Sequence, residues 1–263
     1  MVSMSDQCPP WVIFHVPHDS TLVPSGIRHQ ITLSDDDLAE ELVKMTDHLT
    51  LSLFASGVPV AQVVRAPVSR LVVDVERFED DQQESMAGRG MGAVYAVTSS
   101  LKSLRRPLHQ GERDDLMQAF YRPHHAQLEA AVSAAVYAYG RCLVIDCHSF
   151  PSVALPYELA DPDLGRPDIC IGTDAFHTSA ELASAFVSAF KREGWSVSLN
   201  DPFAGALVPS GRYQQDRRVS AVMVEINRGL YLQEHDGTPL PSFWDVSSRI
   251  KNCCVGAIAA SNP

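Results

Sequence analysis

Two histidines and a glutamate stand at the ends of strand-like apolar runs. His18 follows Trp11-Val-Ile-Phe-His-Val-Pro, His148 follows Cys142-Leu-Val-Ile-Asp-Cys, and Glu225 follows Val219-Ser-Ala-Val-Met-Val. In an open α/β sheet, chemistry gathers just beyond the carboxyl ends of the strands. Two neutral imidazoles and a carboxylate at such ends fit a catalytic zinc that keeps one coordination position open. A further carboxylate, Glu225, can then take a proton from water as general base. Each residue has a plainer reading alone, a turn histidine or an ion-paired glutamate. The repetition of one location on separate runs favours a metal-dependent hydrolase.

The acidic ligand is less obvious. Asp47 falls in a helical pattern, on the face opposite the Leu38, Leu42, Met45, Leu49, Leu53 stripe, with Val43, Leu51 and Phe54 around it. A carboxylate among apolar neighbours is costly unless it is paired or binds metal. Asp19, adjacent to His18, is the competing ligand. Asp146 and His148 share one strand face and Cys147 takes the other, which argues against a cysteine nucleophile. Asp146 either orients an imidazole or binds loop amides. Arg70 and Arg77 flank Leu71-Val-Val-Asp-Val-Glu76 and suit a carboxylate-bearing ligand, because a guanidinium makes two parallel hydrogen bonds to one. Strand alternation there would turn Glu76 away. Arg228 and Tyr231 follow Glu225. In Tyr121-Arg-Pro-His-His125, His124 lines up with Leu116, Phe120 and Leu128 as a core residue, leaving His125 free to face a site.

The elements that must position these residues alternate. Strands are expected at 11–16, 60–65, 70–75, 142–147, 168–172, 195–199 and 219–226, and helices at 34–56, 112–139, 178–193 and 242–260. Ser34 with Asp35, Asp36 and Asp37 suits a helix start. Long loops fall at 77–111, 149–167 (with four prolines) and 200–218. The fold class is α/β, a mixed, mostly parallel sheet with helices on both faces, within one domain spanning 1–263.

Composition narrows the partners. The net charge of −11 argues against nucleic acid, and requires that an anionic ligand meet a local arginine cluster. No apolar run reaches the roughly 18 residues of a membrane span, and Met1 to Asp6 lack a signal-peptide pattern. The six cysteines form no CxxC pair, which fits buried thiols in a reducing cytoplasm. A monomer or small homo-oligomer is expected.

Taken in order, these segments resemble the N-formylglutamate amidohydrolase family. The carrying motifs are Pro17-His18, Thr46-Asp47, Arg70-Leu-Val-Val-Asp74-Val-Glu-Arg77, Tyr121 to His125, Asp146-Cys-His148-Ser149, Pro202-Phe-Ala-Gly205 and Glu225-Ile-Asn-Arg228-Gly-Leu-Tyr231. The resemblance implies a three-layer fold related to zinc carboxypeptidases, with a mixed eight-stranded sheet. It implies zinc on His18 and His148, Glu225 as catalytic glutamate and Arg77 as an arginine contacting substrate. The carboxypeptidase pattern takes its acidic ligand three residues after the first histidine. Thr21 stands there, which leaves Asp47 as the choice. The implied reaction is hydrolysis of N-formyl-L-glutamate, a small anionic N-acyl amino acid, to formate and glutamate in histidine breakdown. Arg70, Arg77, Arg228, His125 and Tyr231 would line the substrate side. Two positions depart from the family pattern: Asp19-Ser20 replaces Ser-Gly, and Glu76 replaces an asparagine. The rival readings are a zinc carboxypeptidase or deacylase for another N-acyl amino acid or peptide, and a non-catalytic ligand-binding protein on this fold.

Overall fold

The structure is a computed structural model that describes residues 8–161 and 164–261. Met1 to Asp6 and Pro162, which entered the expectations above, lie outside them. Six β-branched, apolar runs become the strands β1 (Val12–Val16), β2 (Val63–Arg65), β3 (Cys142–Phe150), β4 (Ile169–Gly172), β5 (Val197–Leu199) and β6 (Val219–Asn227). They form one sheet in the order β2-β1-β3-β6-β4-β5. All neighbours run parallel except β4 against β6, so the sheet is mixed and mostly parallel. β3 and β6 sit at its centre and are buried almost throughout, as a sheet covered on both faces requires. Their register pairs His148 directly with Glu225.

The helices are α1 (Ser25–Arg28), α2 (Asp35–Met45), α3 (Thr50–Ala55), α4 (Gln110–Leu116), α5 (Arg122–Tyr139), α6 (Ala180–Arg192) and α7 (Phe243–Ser261). Ser34 caps α2 by accepting from the Asp37 amide. α5 covers the face that carries His15 and Asp146, where His124 meets His15. α7 covers the other face, packing on α3 and α6, with Cys254 close to Cys147. All six cysteines are free and buried. Among the described residues no helix is long and apolar enough to cross a membrane.

Four expectations are corrected. Residues 70–75 form no strand. Leu71, Val72, Val73 and Val75 are buried, but Ser69 turns the chain by accepting from the amides of Leu71 and Val72. The carbonyls of Leu71 and Val72 accept from Arg105 instead of from a neighbouring strand, which satisfies the buried backbone without a ladder. The helix expected over 34–56 breaks between α2 and α3, where Thr46 is extended and Leu49 is left-handed at φ 63°. Among the described residues the sheet has six strands rather than eight. Leu232–Gln233 and Thr238–Pro239 make a separate two-stranded ribbon. α4 and α5 are joined by a π turn at Met117–Tyr121. It lies just before Pro123, whose ring would clash with a carbonyl four residues back. The wide turn buries Tyr121 where Phe120 was expected.

Phe14 is fully buried in β1 within the main core. Phe14→Ala should lower unfolding free energy by about 3–5 kcal/mol, the usual result of emptying a packed aromatic site. Urea unfolding followed by circular dichroism measures this.

Candidate active site

Asp47 lies in the break between α2 and α3, not on a helix face as its periodicity suggested. Its amide donates to the His18 carbonyl at 2.9 Å, so the loop after β1 fixes the break. Its carboxylate faces both histidines. Oδ2 lies 3.2 Å from His148 Nδ1 and 3.6 Å from His18 Nδ1. One ligand atom from each of His18, Asp47 and His148 lies within 4.8 Å of the others, and all three residues are buried. Asp19, the competing acid, pairs with Arg65 instead.

Each imidazole has a carboxylate at its far nitrogen. His18 Nε2 contacts Asp74 Oδ1 at 2.7 Å. His148 Nε2 lies 3.1 Å from Asp146 Oδ1. Carboxylates in these positions fix the ring orientation and raise basicity. Burial alone would raise the pKa of Asp74, but His18 and Arg70 outweigh it and hold that carboxyl well below the usual range. Asp47 is likewise held low, against burial, by His148 and His18. Burial opposes a charge on His148, yet Asp146 and Asp47 push its pKa well above the ordinary value. Asp146 does both things its position suggested, since its Oδ2 also accepts from the Leu207 amide at 2.9 Å.

Arg70 brings a guanidinium nitrogen to 2.5 Å from His18 Nδ1. A cationic group therefore already sits against this donor set. Glu225 faces the same cavity from β6, and burial lifts its carboxyl from 4.5 to about 7. Its Oε2 is buried without a hydrogen-bond partner among the described residues. The cavity measures about 1060 Å³ and is also lined by Glu76, Arg77, His125, Phe203, Tyr157 and Arg228.

Three placements differ from the sequence reading. Tyr231 is fully buried, its hydroxyl donates to the His48 carbonyl, and it does not line the cavity. Arg228 reaches the cavity wall, but its donors are committed to Asp47 Oδ1 (2.9 Å), the Lys44 carbonyl (2.6 Å) and the Ser149 carbonyl (3.1 Å). Glu76 points inward, because residues 70–75 do not alternate as a strand. Its Oε1 lies 3.1 Å from His15 Nδ1. Arg77 pairs with Asp74 and Glu84 rather than with Glu76, its Nε lying 3.6 Å from Asp74 Oδ2 without an aligned hydrogen bond. His125 lines the cavity with Nε2 2.9 Å from the Val75 carbonyl.

His15 is the residue that sequence reading passed over. It is fully buried, with Nδ1 2.8 Å from Asp146 Oδ1 and Nε2 2.8 Å from His124. A histidine inside an apolar strand is costly unless paired, and that was its signal. Asp74 was visible only as part of a motif, and nothing in the sequence tied it to His18.

The profile of the N-formylglutamate amidohydrolase family matches residues 11–232. The chain belongs to that family. It is accordingly a hydrolase acting on a non-peptide amide bond. An N-formylglutamate deformylase of Pseudomonas putida is 26% identical over 233 residues, covering 85% of this chain and 82% of the relative. A second N-formylglutamate deformylase, from Pseudomonas aeruginosa, is 27% identical over 237 residues with the same coverage. Among solved structures, an N-formylglutamate amidohydrolase of Ralstonia eutropha JMP134 superposes with a TM-score of 0.80 at 20% identity, covering 96% of this chain and 93% of its own. This family member therefore shares the α/β fold with that structure.

The electrostatics give stability a definite pH dependence. Burial opposes a charge on His15, but Asp146 and Glu76 overcome it and raise the pKa from 6.5 to about 9. A raised folded pKa stabilises fully below the unfolded value and is lost as pH rises through the folded one. The chelator-treated protein should therefore lose about 3 kcal/mol of unfolding free energy between pH 6.5 and pH 9 from this group. Urea midpoints across that range measure it, and a flat profile would show that His15 is uncharged in the fold.

Proposed function

We propose that this chain is a zinc-dependent amidohydrolase that cleaves N-formyl-L-glutamate to formate and glutamate, as one catalytic domain in a reducing cytoplasm. The observation that carries the reading is the convergence of His18, Asp47 and His148 beside Glu225, whose Oε2 is buried without a hydrogen bond among the described residues. The donor set fits a borderline metal such as zinc: two imidazole nitrogens, one carboxylate oxygen, and a carboxylate behind each ring. The names of the two Pseudomonas relatives support the substrate.

A divalent cation on His18, Asp47 and His148 would polarise the acyl carbonyl and make water acidic enough to react near neutral pH. Glu225, with a carboxyl lifted to about 7, is matched to accept a water proton and return it to the leaving nitrogen. Arg70 stands against His18 and is suited to hold the developing oxyanion. Arg77 lines the cavity, faces Asp74 through Nε and Glu84 through a terminal nitrogen, and presents a guanidinium suited to a substrate carboxylate. Arg228 holds Asp47 in place rather than binding substrate. His125 closes the far wall.

One observation favours a second reading. Glu76 adds a carboxylate to the cavity, where it would repel a doubly anionic substrate. A deacylase for a less acidic N-acyl amino acid fits that charge better. Turnover compared across formyl-glutamate, other formyl and acetyl amino acids and short peptides separates the two.

Glu225→Gln should keep the metal and the fold while turnover falls at least about 100-fold. Near-normal turnover with the best substrate would assign the base elsewhere. Arg77→Ala should act mainly on the Michaelis constant, at a cost of roughly 2–5 kcal/mol, with Arg77→Lys recovering only part. An unchanged constant for an acidic substrate would shift that role to Arg70. Chelation should abolish activity, and added zinc should restore it.

A further inference from the structure

Behind the first cluster lies a second set of donors, which shares His148 and its neighbour Asp146 with the first and adds His15 and Glu76. His15 Nδ1 is 2.8 Å from Asp146 Oδ1 and 3.1 Å from Glu76 Oε1. His148 Nε2 is 3.1 Å from Asp146 Oδ1 and 3.9 Å from Glu76 Oε1. Ligand atoms from His15, Glu76 and Asp146 lie within 4.8 Å of one another. On a tetrahedral zinc, ligand atoms stand about 3.4 Å apart, given metal–ligand bonds of ~2.0–2.1 Å. These four separations, from 2.8 to 3.9 Å, bracket that spacing.

A second, independent observation points the same way. His148 is only 4% exposed, and its Nε2 is buried with no hydrogen-bond partner despite its closeness to Asp146. Glu76 Oε1 is likewise buried and has no hydrogen-bond partner. Each has a charged group at 3.1 Å, Asp146 for His148 Nε2 and His15 for Glu76 Oε1, that is not aligned for a hydrogen bond. Orphaned buried polar atoms of this kind call for a missing partner, and the donor chemistry, imidazole plus carboxylate, selects a divalent cation of the zinc class.

We propose that His15, Glu76, Asp146 and His148 Nε2 form a second divalent-cation site, so that His148 bridges two cations through its two ring nitrogens. Binding there displaces the protons of His15 Nδ1 and His148 Nε2, which leave to solvent. No electrons move. The second cation neutralises Glu76, removing from the cavity wall the charge that would oppose an anionic substrate. The site goes beyond the first cluster, because Asp47 and His18 take no part in it.

The test is metal stoichiometry. Apo protein is titrated with zinc alone by calorimetry, and the metal is counted by mass spectrometry after desalting. Wild type should retain two equivalents, Glu76→Gln one, and Asp47→Asn one. Glu76 lies at the cavity wall with 16% of its side chain exposed, so the isosteric glutamine should fold, and circular dichroism checks this. Anomalous diffraction at the zinc edge should put the second ion against His15. One equivalent in wild type, or two in Glu76→Gln, would overturn the proposal. If wild type holds one equivalent and Asp47→Asn none, the first site stands and this one falls. If Asp47→Asn loses nothing while Glu76→Gln loses one, the second site stands and the reading under Proposed function fails.

Discussion

The buried carboxylate of Asp47 is the constraint on which the rest of this structure depends. A charge removed from water is stable only if other charges and donors surround it. Here the surroundings come from three separate parts of the chain: His18 after β1, His148 and the Ser149 amide on β3, and Arg228 after β6. None of these segments can move without stranding a charge. The helix break before α3 follows from the same demand, since a continuous helix would point residue 47 along its own surface.

From Asp47 the compensation spreads outward in alternating sign. Asp74 stands behind His18, and Arg70 and Arg77 flank Asp74. Asp146 stands behind His148, and His15 behind Asp146. The buried network gathers Arg70, Arg77 and Arg228 around one cavity in a chain of net charge −11. It also leaves a few buried atoms without a hydrogen bond. Glu225 Oε2, Arg77 Nε and His148 Nε2 lack hydrogen bonds, and such deficits concentrate at sites that bind something else. The arrangement thus separates rigid groups, such as Arg228 and Tyr231, from groups with capacity to spare.

Strand architecture explains why the reactive groups meet. β3 and β6 are parallel and in register, so His148 and Glu225 lie side by side at the same height on one face. The loop after β1 then brings His18 to that end, as the geometry of open α/β sheets favours. Three residues far apart in sequence become neighbours through two strand registers and one loop.

Much of this was legible in the sequence. Apolar, β-branched runs marked the six strands of the main sheet, and Ser34 with the apolar stripe from Leu38 marked α2, because burial and local hydrogen bonding act within a few residues. His18, His148 and Glu225 were visible as polar residues closing those runs, and the ordered motifs carried the family. Tertiary structure alone decided the rest. The valines after Arg70 looked like a strand because burial and strand pairing select the same side chains. Only the Ser69 turn and Arg105 show that the segment is buried without pairing, and this turns Glu76 inward. The helical pattern through Asp47 hid a break made by His18, a residue 29 positions earlier. His15, Asp74 and Asp146 gained partners through contacts across the fold, and no local pattern encodes a contact between residues more than fifty positions apart.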